Sequence, residues 1–216
     1  MKKGKSYKFQ NIIFDLDGTL IDSSRGVLSS LDQICLENNI EIERPILKKI
    51  IGPPLRETLL RLTKIDDERS IDHLMNCFKL EYDSNGYKDT IVFEGINRML
   101  SSLYDNGINL YIATNKRKNP TNKIINMLTW CKFFKGIYSI DSFNHVKTKG
   151  DLLSHIVEKF NLKNCIYVGD HMDDLHAAKA ASLQCIMVGW GFGDFTNKFH
   201  DQVIKHPYDL ANKLNV

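Results

Sequence analysis

The feature of this sequence that most limits its fold is a series of short apolar segments separated by helical patterns. Each segment is apolar on consecutive residues rather than on alternate ones, which is typical of parallel strands buried on both faces. Because strands and helices alternate, we predict an α/β fold with an open, Rossmann-like parallel sheet. The predicted strands are Asn11–Phe14, Asn109–Ala113, Gly136–Ile140, Cys165–Val168 and Cys185–Val188.

Helical patterns occupy the intervals between these segments. The stretch Ile96–Leu103 has helical spacing and is followed by Asn106-Gly107, a typical helix C-terminus. A second helix is expected with Pro120 in its first turn. Two more are expected over Leu152–Phe160 and Leu175–Ala181.

The interval between the first two predicted strands is too long for one crossover connection. Residues 15–108 separate them, whereas a βαβ unit needs only about 30 residues in all. The surplus contains three apolar stripes at helical spacing, at Val27–Cys35, Leu55–Leu62 and Ile71–Phe78. We therefore predict a helical subdomain over residues 22–91, inserted into an α/β core of residues 1–21 and 92–216.

Composition and charge exclude several classes of protein. Hydrophobic residues make up 43% and charged residues 25% of the 216, which are globular values. The net charge of +3 is too small to indicate a nucleic-acid partner, and the aromatic residues form no stacking platform. No apolar stretch approaches the roughly 18 residues of a membrane span, so no membrane partner is expected.

Cysteine usage and the N-terminal region indicate a cytoplasmic protein. The five cysteines are widely spread and contain no C-x-x-C pair, which argues against a disulfide framework or a zinc site. The apolar run that follows the basic N-terminus stops at Asp15, far short of a signal peptide. A monomer or a homodimer is expected.

Polar residues that can carry chemistry follow several predicted strands. Residues 15–20 have the sequence D-L-D-G-T-L. Gly18 permits a turn that directs Asp15 and Asp17 into one pocket, and the Thr19 hydroxyl can bind an oxyanion. Thr114 and its neighbour Asn115 follow the second strand. A lysine, Lys149 or alternatively Lys147, opens a later helix, and Asp170, Asp173 and Asp174 follow the fourth strand.

The grouped carboxylates indicate a metal site. Like charges at one strand end repel unless a cation is close, and carboxylate oxygens are ligands that Mg²⁺ prefers. Ligands of open α/β sheets bind at the carboxyl ends of the strands, where all of these residues are expected. We therefore predict an active site with Mg²⁺ ligands from Asp15, Asp17 and Asp170.

Other signals are weaker. The run Lys116–Lys118 is interpreted as a solvated helix entry, although it could face an anionic substrate. Arg56, in the insert, is a candidate substrate contact for which a surface position is the alternative. The glycines of Gly189–Gly193 lack the spacing of a nucleotide-binding loop and are interpreted as a turn beside the active site. His171 is interpreted as a residue of its rim.

The order D-x-D-G-T-L, T-N, K and G-D-x-x-D-D resembles the haloacid dehalogenase superfamily. The segments 51–55, 92–96, 177–181 and 188–193 are similar to its phosphoglycolate phosphatase-like branch. The resemblance implies a Rossmann-like core with a helical cap inserted after the first motif. That branch often has K-P-x-P at the third motif, where this chain has Lys147-Thr148-Lys149-Gly150.

The resemblance also implies roles. Asp15 is expected to be the nucleophile and Asp17 the general acid and base. Thr114 is expected to bind the phosphoryl group and Lys149 to neutralise charge. The implied Mg²⁺ ligands are Asp15, Asp170 and the backbone carbonyl of Asp17, with Asp174, favoured over Asp173, in support. Candidate substrate contacts are Thr19, Asn115, Lys147 and Arg56.

The predicted function is a Mg²⁺-dependent phosphatase of a small phosphorylated metabolite. The candidate substrates are a sugar phosphate, phosphoglycolate, a nucleotide and pyrophosphate. Asp17 argues against dehalogenase chemistry, which needs no acid for a leaving alkoxide. Two alternatives stay open: a phosphosugar mutase of the same superfamily, and a non-catalytic binding protein on this fold.

Overall fold

A computed structural model of the protein describes residues 8–193 and 203–214. The predicted core also includes residues 1–7, 194–202 and 215–216, which lie outside the described residues. The elements, in chain order, are β1 (Asn11–Phe14), β2 (Ile21–Asp22), α1 (Ser24–Glu37), α2 (Leu55–Thr63), α3 (Glu68–Ser84), β3 (Ile91–Val92), α4 (Ile96–Asp105), β4 (Asn109–Thr114), α5 (Lys118–Met127), β5 (Phe134–Ser139), α6 (Lys149–Lys159), β6 (Cys165–Gly169), α7 (Met172–Ala180), β7 (Gln184–Met187) and α8 (Pro207–Lys213).

A five-stranded sheet with the order β5-β4-β1-β6-β7 forms the centre of the molecule, and every pairing in it is parallel. Strand β1 lies in the middle, and its residue Asn11 is in register with Asn109 of β4 and Cys165 of β6. Ile12 and Phe14 pack on one face with residues of α4, α5 and α8, whereas Ile13 packs on the other with residues of α6 and α7. This burial on both faces explains why the strands are apolar on consecutive residues.

The predicted fold class and the five predicted strands are confirmed; β4 and β6 each extend one residue beyond the predicted bounds, and β5 and β7 are shifted. Strand β5 covers Phe134–Ser139 rather than Gly136–Ile140, because Ser139 caps a following single-turn 3₁₀ helix over Ile140–Ser142. Strand β7 covers Gln184–Met187, one residue earlier than predicted.

The long insertion folds into three helices with a core of their own. Helices α1, α2 and α3 enclose a cluster of buried apolar side chains that includes Leu31, Leu59 and Leu74. The chain leaves and re-enters the α/β core through a short antiparallel ribbon, in which Ile21 pairs with Val92 and Asp22 pairs with Ile91. We call residues 22–91 the cap; the assignment of these exact boundaries stays a prediction.

The cap is also attached to the core by a charged contact between α3 and the start of α5. Asp83, near the end of α3, accepts two hydrogen bonds from the Arg117 guanidinium at 2.6 and 3.0 Å and one from Asn119 at 2.8 Å. Its backbone carbonyl accepts a hydrogen bond from Lys123 at 2.6 Å. A bidentate guanidinium–carboxylate pair fixes direction as well as distance, so this contact sets the angle at which α3 meets α5.

No helix within residues 8–193 and 203–214 is both long enough and apolar enough to cross a membrane.

The separate core of the cap can be tested with two leucines on the same helix. Leu74 is 1% exposed and Leu80 is 73% exposed, and both lie on α3. Leu74→Ala is expected to lower the free energy of unfolding of the cap by about 2–5 kcal/mol, because it leaves a cavity in the cluster. Leu80→Ala is expected to change it by less than about 0.5 kcal/mol. Urea denaturation followed by circular dichroism measures both, and equal effects would contradict the assignment of a cap core.

Candidate active site

The predicted site residues lie together at the carboxyl edge of the sheet. Asp15 directly follows β1, Thr114 is the last residue of β4, and Asp170 directly follows β6. The amide of Asp15 donates to the carbonyl of Val168 at 2.9 Å, so the sheet pairing continues up to the carboxylates. Short parallel strands that end side by side therefore bring residues distant in sequence to one place.

Two glycines allow the loops around Asp170 to approach each other. Gly18 has a φ of +84°, and a Cβ there would overlap the Asp170 carboxylate. A Cβ at Gly191 would overlap the same carboxylate and the carbonyl of Gly18. The next residue, Phe192, donates its amide to Asp170 Oδ2 at 2.7 Å. The turn after β7 thus lies beside the site, as the glycine pattern indicated.

Three buried carboxylates form the centre of the site. One oxygen each from Asp15, Asp170 and Asp174 lies within 4.8 Å of the others. Burial, together with the neighbouring carboxylates, raises the pKa of Asp15 to about 8, although Lys149 partly opposes the shift. Burial and Asp174 raise the pKa of Asp170 to about 6. The protein thus holds these groups close together at a free-energy cost that a cation would remove.

Lys149 supplies part of the opposing charge. Its ammonium donates to Asp15 Oδ1 at 2.9 Å and to Asp174 Oδ1 at 2.6 Å. Burial alone would lower the pKa of Lys149, but the two carboxylates outweigh burial and raise it, so the side chain stays charged. Lys149 is the first residue of α6, and the preceding Thr148 caps this helix in a reciprocal capping box with Asp151.

Lys147 and Asp173, the alternatives considered for Lys149 and Asp174, lie further out. Lys147 and Asp173 are both exposed, and the Asp173 carboxylate is 3.3 Å from His171 Nδ1 at the rim. Asp174 is 1% exposed and accepts hydrogen bonds from the amides of Asp170 and His171 at 3.1 and 3.0 Å.

Asp17 lies in a second, adjacent group of side chains. Its carboxylate accepts hydrogen bonds from the Ser23 hydroxyl and from the Lys116 ammonium, the latter at 2.9 and 3.3 Å. The same ammonium lies 4.5 Å from the ring centroid of Tyr82 on α3 of the cap. The Asp17 side chain is not part of the three-carboxylate group, so a contribution from Asp17 to a metal there would come from its backbone.

The interpretation of Lys116–Lys118 as a solvated helix entry is wrong for its first two residues. The Lys116 side chain is 8% exposed, and its pKa is raised because Asp17 and Tyr82 outweigh burial. Arg117 is held by Asp83 of the cap. Three consecutive cations resemble a solvated run, but Lys116 stands two residues after Thr114 at a strand end, and that position was the available signal.

Tyr167 contacts the carboxylate cluster, and no motif in the sequence indicates this contact. It lies within the apolar strand β6 and is fully buried, and its hydroxyl donates to Asp174 Oδ1 at 3.0 Å. The ring packs in the core, and the hydrogen bond of its hydroxyl to Asp174 connects Tyr167 to the site.

Two of the predicted substrate contacts have other partners in the structure. Thr19 is fully buried, and its hydroxyl donates to Asp170 Oδ1 at 3.2 Å, so it orients a carboxylate rather than facing the cavity. Arg56 binds Glu68 and, at 2.8 Å, Asp72 within the cap, although it also lines the cavity described next.

A cavity of about 650 Å³ extends from the carboxylates to the underside of the cap. Thr114, Asn115, Lys147 and Lys149 line it on the core side, together with Asp15 and Asp17. On the cap side its lining is mostly apolar. A ligand in this cavity would contact the nucleophile candidates and the cap at the same time.

The donor set suits a hard divalent cation. Hard cations such as Mg²⁺ bind carboxylate oxygens, keep several waters and need only one or two protein carboxylates. The cluster of Asp15, Asp170 and Asp174 offers such oxygens in a buried place, where Lys149 and a few hydrogen-bond donors oppose their mutual repulsion. These residues could therefore hold a metal ion.

Comparison with curated proteins finds relatives over almost the whole chain. The chain is 32% identical over 209 residues to a 5′-nucleotidase of Pseudomonas aeruginosa, covering 94% of this chain and 93% of the relative. It is 26% identical over 207 residues to a phosphoglycolate phosphatase of Aquifex aeolicus, covering 94% of this chain and 96% of the relative.

Solved structures share the fold. A haloacid dehalogenase-like family hydrolase from Streptococcus pneumoniae superposes with a TM-score of 0.84 at 25% identity, covering 95% of this chain and 98% of that one. Protein Tyrosine Kinase A of Mycobacterium tuberculosis gives 0.83 at 29% identity, covering 99% and 100%. Residues 12–188 also match the model of the haloacid dehalogenase-like hydrolase family. The chain therefore belongs to the haloacid dehalogenase-like hydrolase family and is an enzyme of that class, as its motifs predicted.

Proposed function

We propose that this enzyme is a Mg²⁺-dependent phosphatase that hydrolyses phosphate monoesters through a phosphorylated Asp15. The observation that carries the proposal is the contact of one buried ammonium, Lys149, with both Asp15 and Asp174, next to Asp170 and at the end of a ligand-sized cavity. The names of the nucleotidase and phosphatase relatives support the reaction class.

Mg²⁺ fits the carboxylate cluster by charge and ligand chemistry. Asp15, Asp170 and the backbone carbonyl of Asp17 would hold it, with Asp174 supporting the ion or its waters. When bound, the ion would neutralise charge on the phosphoryl oxygens and on the buried carboxylates. With the ion present, Asp15 can be ionised at neutral pH, as a nucleophile must be, despite the burial that raises its pKa.

In the first step a carboxylate oxygen of Asp15 attacks phosphorus. A bond forms between this oxygen and phosphorus, while the bond from phosphorus to the alcohol oxygen breaks. The alcohol takes a proton from the protonated form of Asp17, which Ser23 and Lys116 orient and which the second step regenerates. Lys149 and the Thr114 hydroxyl stabilise the transferred phosphoryl group, because phosphoryl transfer depends mainly on positioning and charge.

In the second step water hydrolyses the phosphorylated Asp15. Asp17, now a carboxylate, removes a proton from the water, whose oxygen bonds to phosphorus as the bond to Asp15 breaks. Inorganic phosphate leaves and Asp15 is regenerated. We propose that the cap covers the cavity during these steps and excludes bulk water, a role consistent with its contacts to Lys116 and Arg117.

The alternative from the sequence is a phosphosugar mutase, in which a sugar hydroxyl replaces water as the second acceptor. Glucose 1-phosphate distinguishes the two reactions. Isomerisation without release of phosphate would contradict the phosphatase proposal, and release of phosphate without isomer would support it.

The nucleophile is tested by Asp15→Asn. This variant is expected to lose roughly 10⁴-fold or more in kcat, because it removes the attacking carboxylate. Phosphate release is measured over a panel of phosphate esters with Mg²⁺. The matched control is Asp105→Asn, the same change at an exposed carboxylate at the end of α4, which is expected to keep full activity. Substantial turnover by a folded Asp15→Asn variant would show that the nucleophile is misassigned.

The role of Lys116 in orienting the acid is tested by Lys116→Ala with two leaving groups. An alkyl alcohol leaves slowly without a proton, whereas p-nitrophenolate leaves without one. We expect kcat to fall about 10²-fold or more for alkyl phosphates and much less for p-nitrophenyl phosphate. Lys116→Arg should restore part of the alkyl activity. Equal losses for the two substrates would indicate that Lys116 is merely structural.

Metal binding is tested by thermal stability as well as by activity. At a Mg²⁺ concentration 100 times its dissociation constant, the fold is expected to gain about 2.7 kcal/mol. Asp170→Asn is expected to remove most of this gain, and a chelator is expected to abolish activity until Mg²⁺ is restored. A wild-type melting temperature that is insensitive to Mg²⁺ would argue against a metal at this cluster.

A further inference from the structure

We propose that the preferred substrates are phosphate monoesters whose alcohol carries an aromatic ring, such as nucleosides or aryl alcohols, rather than phosphoglycolate or pyrophosphate. This inference rests on the proposed phosphatase function and specifies its substrate class. It is drawn from the size, lining and charge pairing of the cavity between core and cap.

The size of the cavity favours a bulky leaving group. Pockets of about 300–1,000 Å³ accommodate drug-sized ligands. At about 650 Å³, this cavity falls in the middle of that range. The phosphoryl group occupies only the end near Asp15 and Lys149. A two-carbon acid or a second phosphate would leave most of the remaining space to water.

The lining of the cap side favours an apolar leaving group. Val27 of α1, Leu55 of α2 and Met75 of α3 are partly exposed and face the cavity, and the buried side chains of Leu31 and Phe78 also border it. These side chains come from all three helices of the cap, so the apolar wall is a property of the whole subdomain. Apolar surface in contact with water is unfavourable, and an apolar ligand group that covers it gains affinity.

The wall also contains an aromatic stack. The rings of Phe78 and Tyr82 are 5.4 Å apart and inclined by 10°, and the Lys116 ammonium lies 4.5 Å from the centroid of Tyr82. Both rings border the cavity, but Tyr82 is 2% exposed and is covered by Phe78 and Lys116, so Phe78, at 8% exposed, is the ring of this pair that a ligand can reach. Aromatic rings associate in offset-stacked and edge-to-face arrangements, so Phe78 offers a ligand ring a partner of its own kind.

The charges around the cavity argue against a second anionic group. Four of the cations that line it already contact carboxylates: Lys116 contacts Asp17, Lys149 contacts Asp15 and Asp174, Arg117 contacts Asp83, and Arg56 contacts Glu68 and Asp72. Among the described lining cations, Lys79 and Lys147 are the two with no carboxylate at ion-pair distance, and Lys147 is exposed. The carboxylate of phosphoglycolate or the second phosphate of pyrophosphate would have to compete with these pairs or remain poorly neutralised.

Met75 gives a direct way to change this selectivity. It is half-buried and faces the cavity, whereas Leu80 lies on the same helix, is exposed and is not part of the lining. Met75→Lys places a cation on the apolar wall. Leu80→Lys adds the same charge to α3 without altering the cavity, so it is the matched control.

The decisive experiment measures binding and turnover separately. Adenosine 5′-monophosphate, p-nitrophenyl phosphate, glucose 6-phosphate, phosphoglycolate and pyrophosphate are titrated into the Asp15→Asn variant with Mg²⁺ in a calorimeter, and the wild type is assayed on the same five compounds. We expect at least one of the two aromatic esters to bind about tenfold more tightly than each of the other three compounds. Glucose 6-phosphate is bulky without being aromatic, so it separates size from ring recognition.

The variants then test where the selectivity arises. Introduced into the Asp15→Asn background, Met75→Lys should weaken binding of the preferred aromatic ester about tenfold and leave phosphoglycolate binding unchanged or tighter, and Leu80→Lys should change neither. The inference would be overturned if phosphoglycolate, pyrophosphate or the sugar phosphate bound as tightly as the aromatic esters. Equal effects of the two lysine substitutions would also overturn it. If the aromatic esters bind selectively but the wild type releases no phosphate from them, the proposed function fails while the substrate-class inference stands.

Discussion

The rest of this structure depends on three carboxylates, Asp15, Asp170 and Asp174, that are buried within a few ångströms of one another. Lys149 contacts two of them and reduces their mutual repulsion, and the proposed divalent cation would reduce it further. Many nearby features hold this group together: the left-handed turn at Gly18, the close approach of Gly191, and the hydroxyls of Thr19 and Tyr167.

Sequence reasoning predicted the framework of the site because that framework depends on order along the chain. Consecutive apolar residues identify buried parallel strands, and polar residues that follow them must meet at one edge of the sheet. This logic places Asp15, Thr114 and Asp170 without coordinates. It also favours Lys149 over Lys147, since the helical stripe begins just after Lys149, and the structure adds the Thr148–Asp151 capping box as the physical reason.

The remaining features depend on contacts between elements far apart in sequence. Lys116 looks like a member of a solvated cationic run, yet it is buried because Tyr82, brought from the cap, covers it on one side and Asp17 lies on the other. Thr19 looks like a ligand for an oxyanion, yet it is fully buried and donates its hydroxyl to Asp170, the residue that follows β6. The apolar wall of the cavity likewise exists only where three cap helices come together over the core. The spacing of residues within one segment of the sequence cannot predict such tertiary contacts.

The most direct test of the proposed chemistry is to trap the covalent intermediate. Wild-type enzyme mixed with p-nitrophenyl phosphate and Mg²⁺ is quenched in acid within one turnover, digested and analysed by mass spectrometry. A phosphoryl group on the peptide that contains Asp15, at the carboxylate of that residue, is the predicted result. Rapid p-nitrophenol formation with no phosphorylated peptide, or with the phosphoryl group on another side chain, would contradict the assignment of Asp15 as the nucleophile.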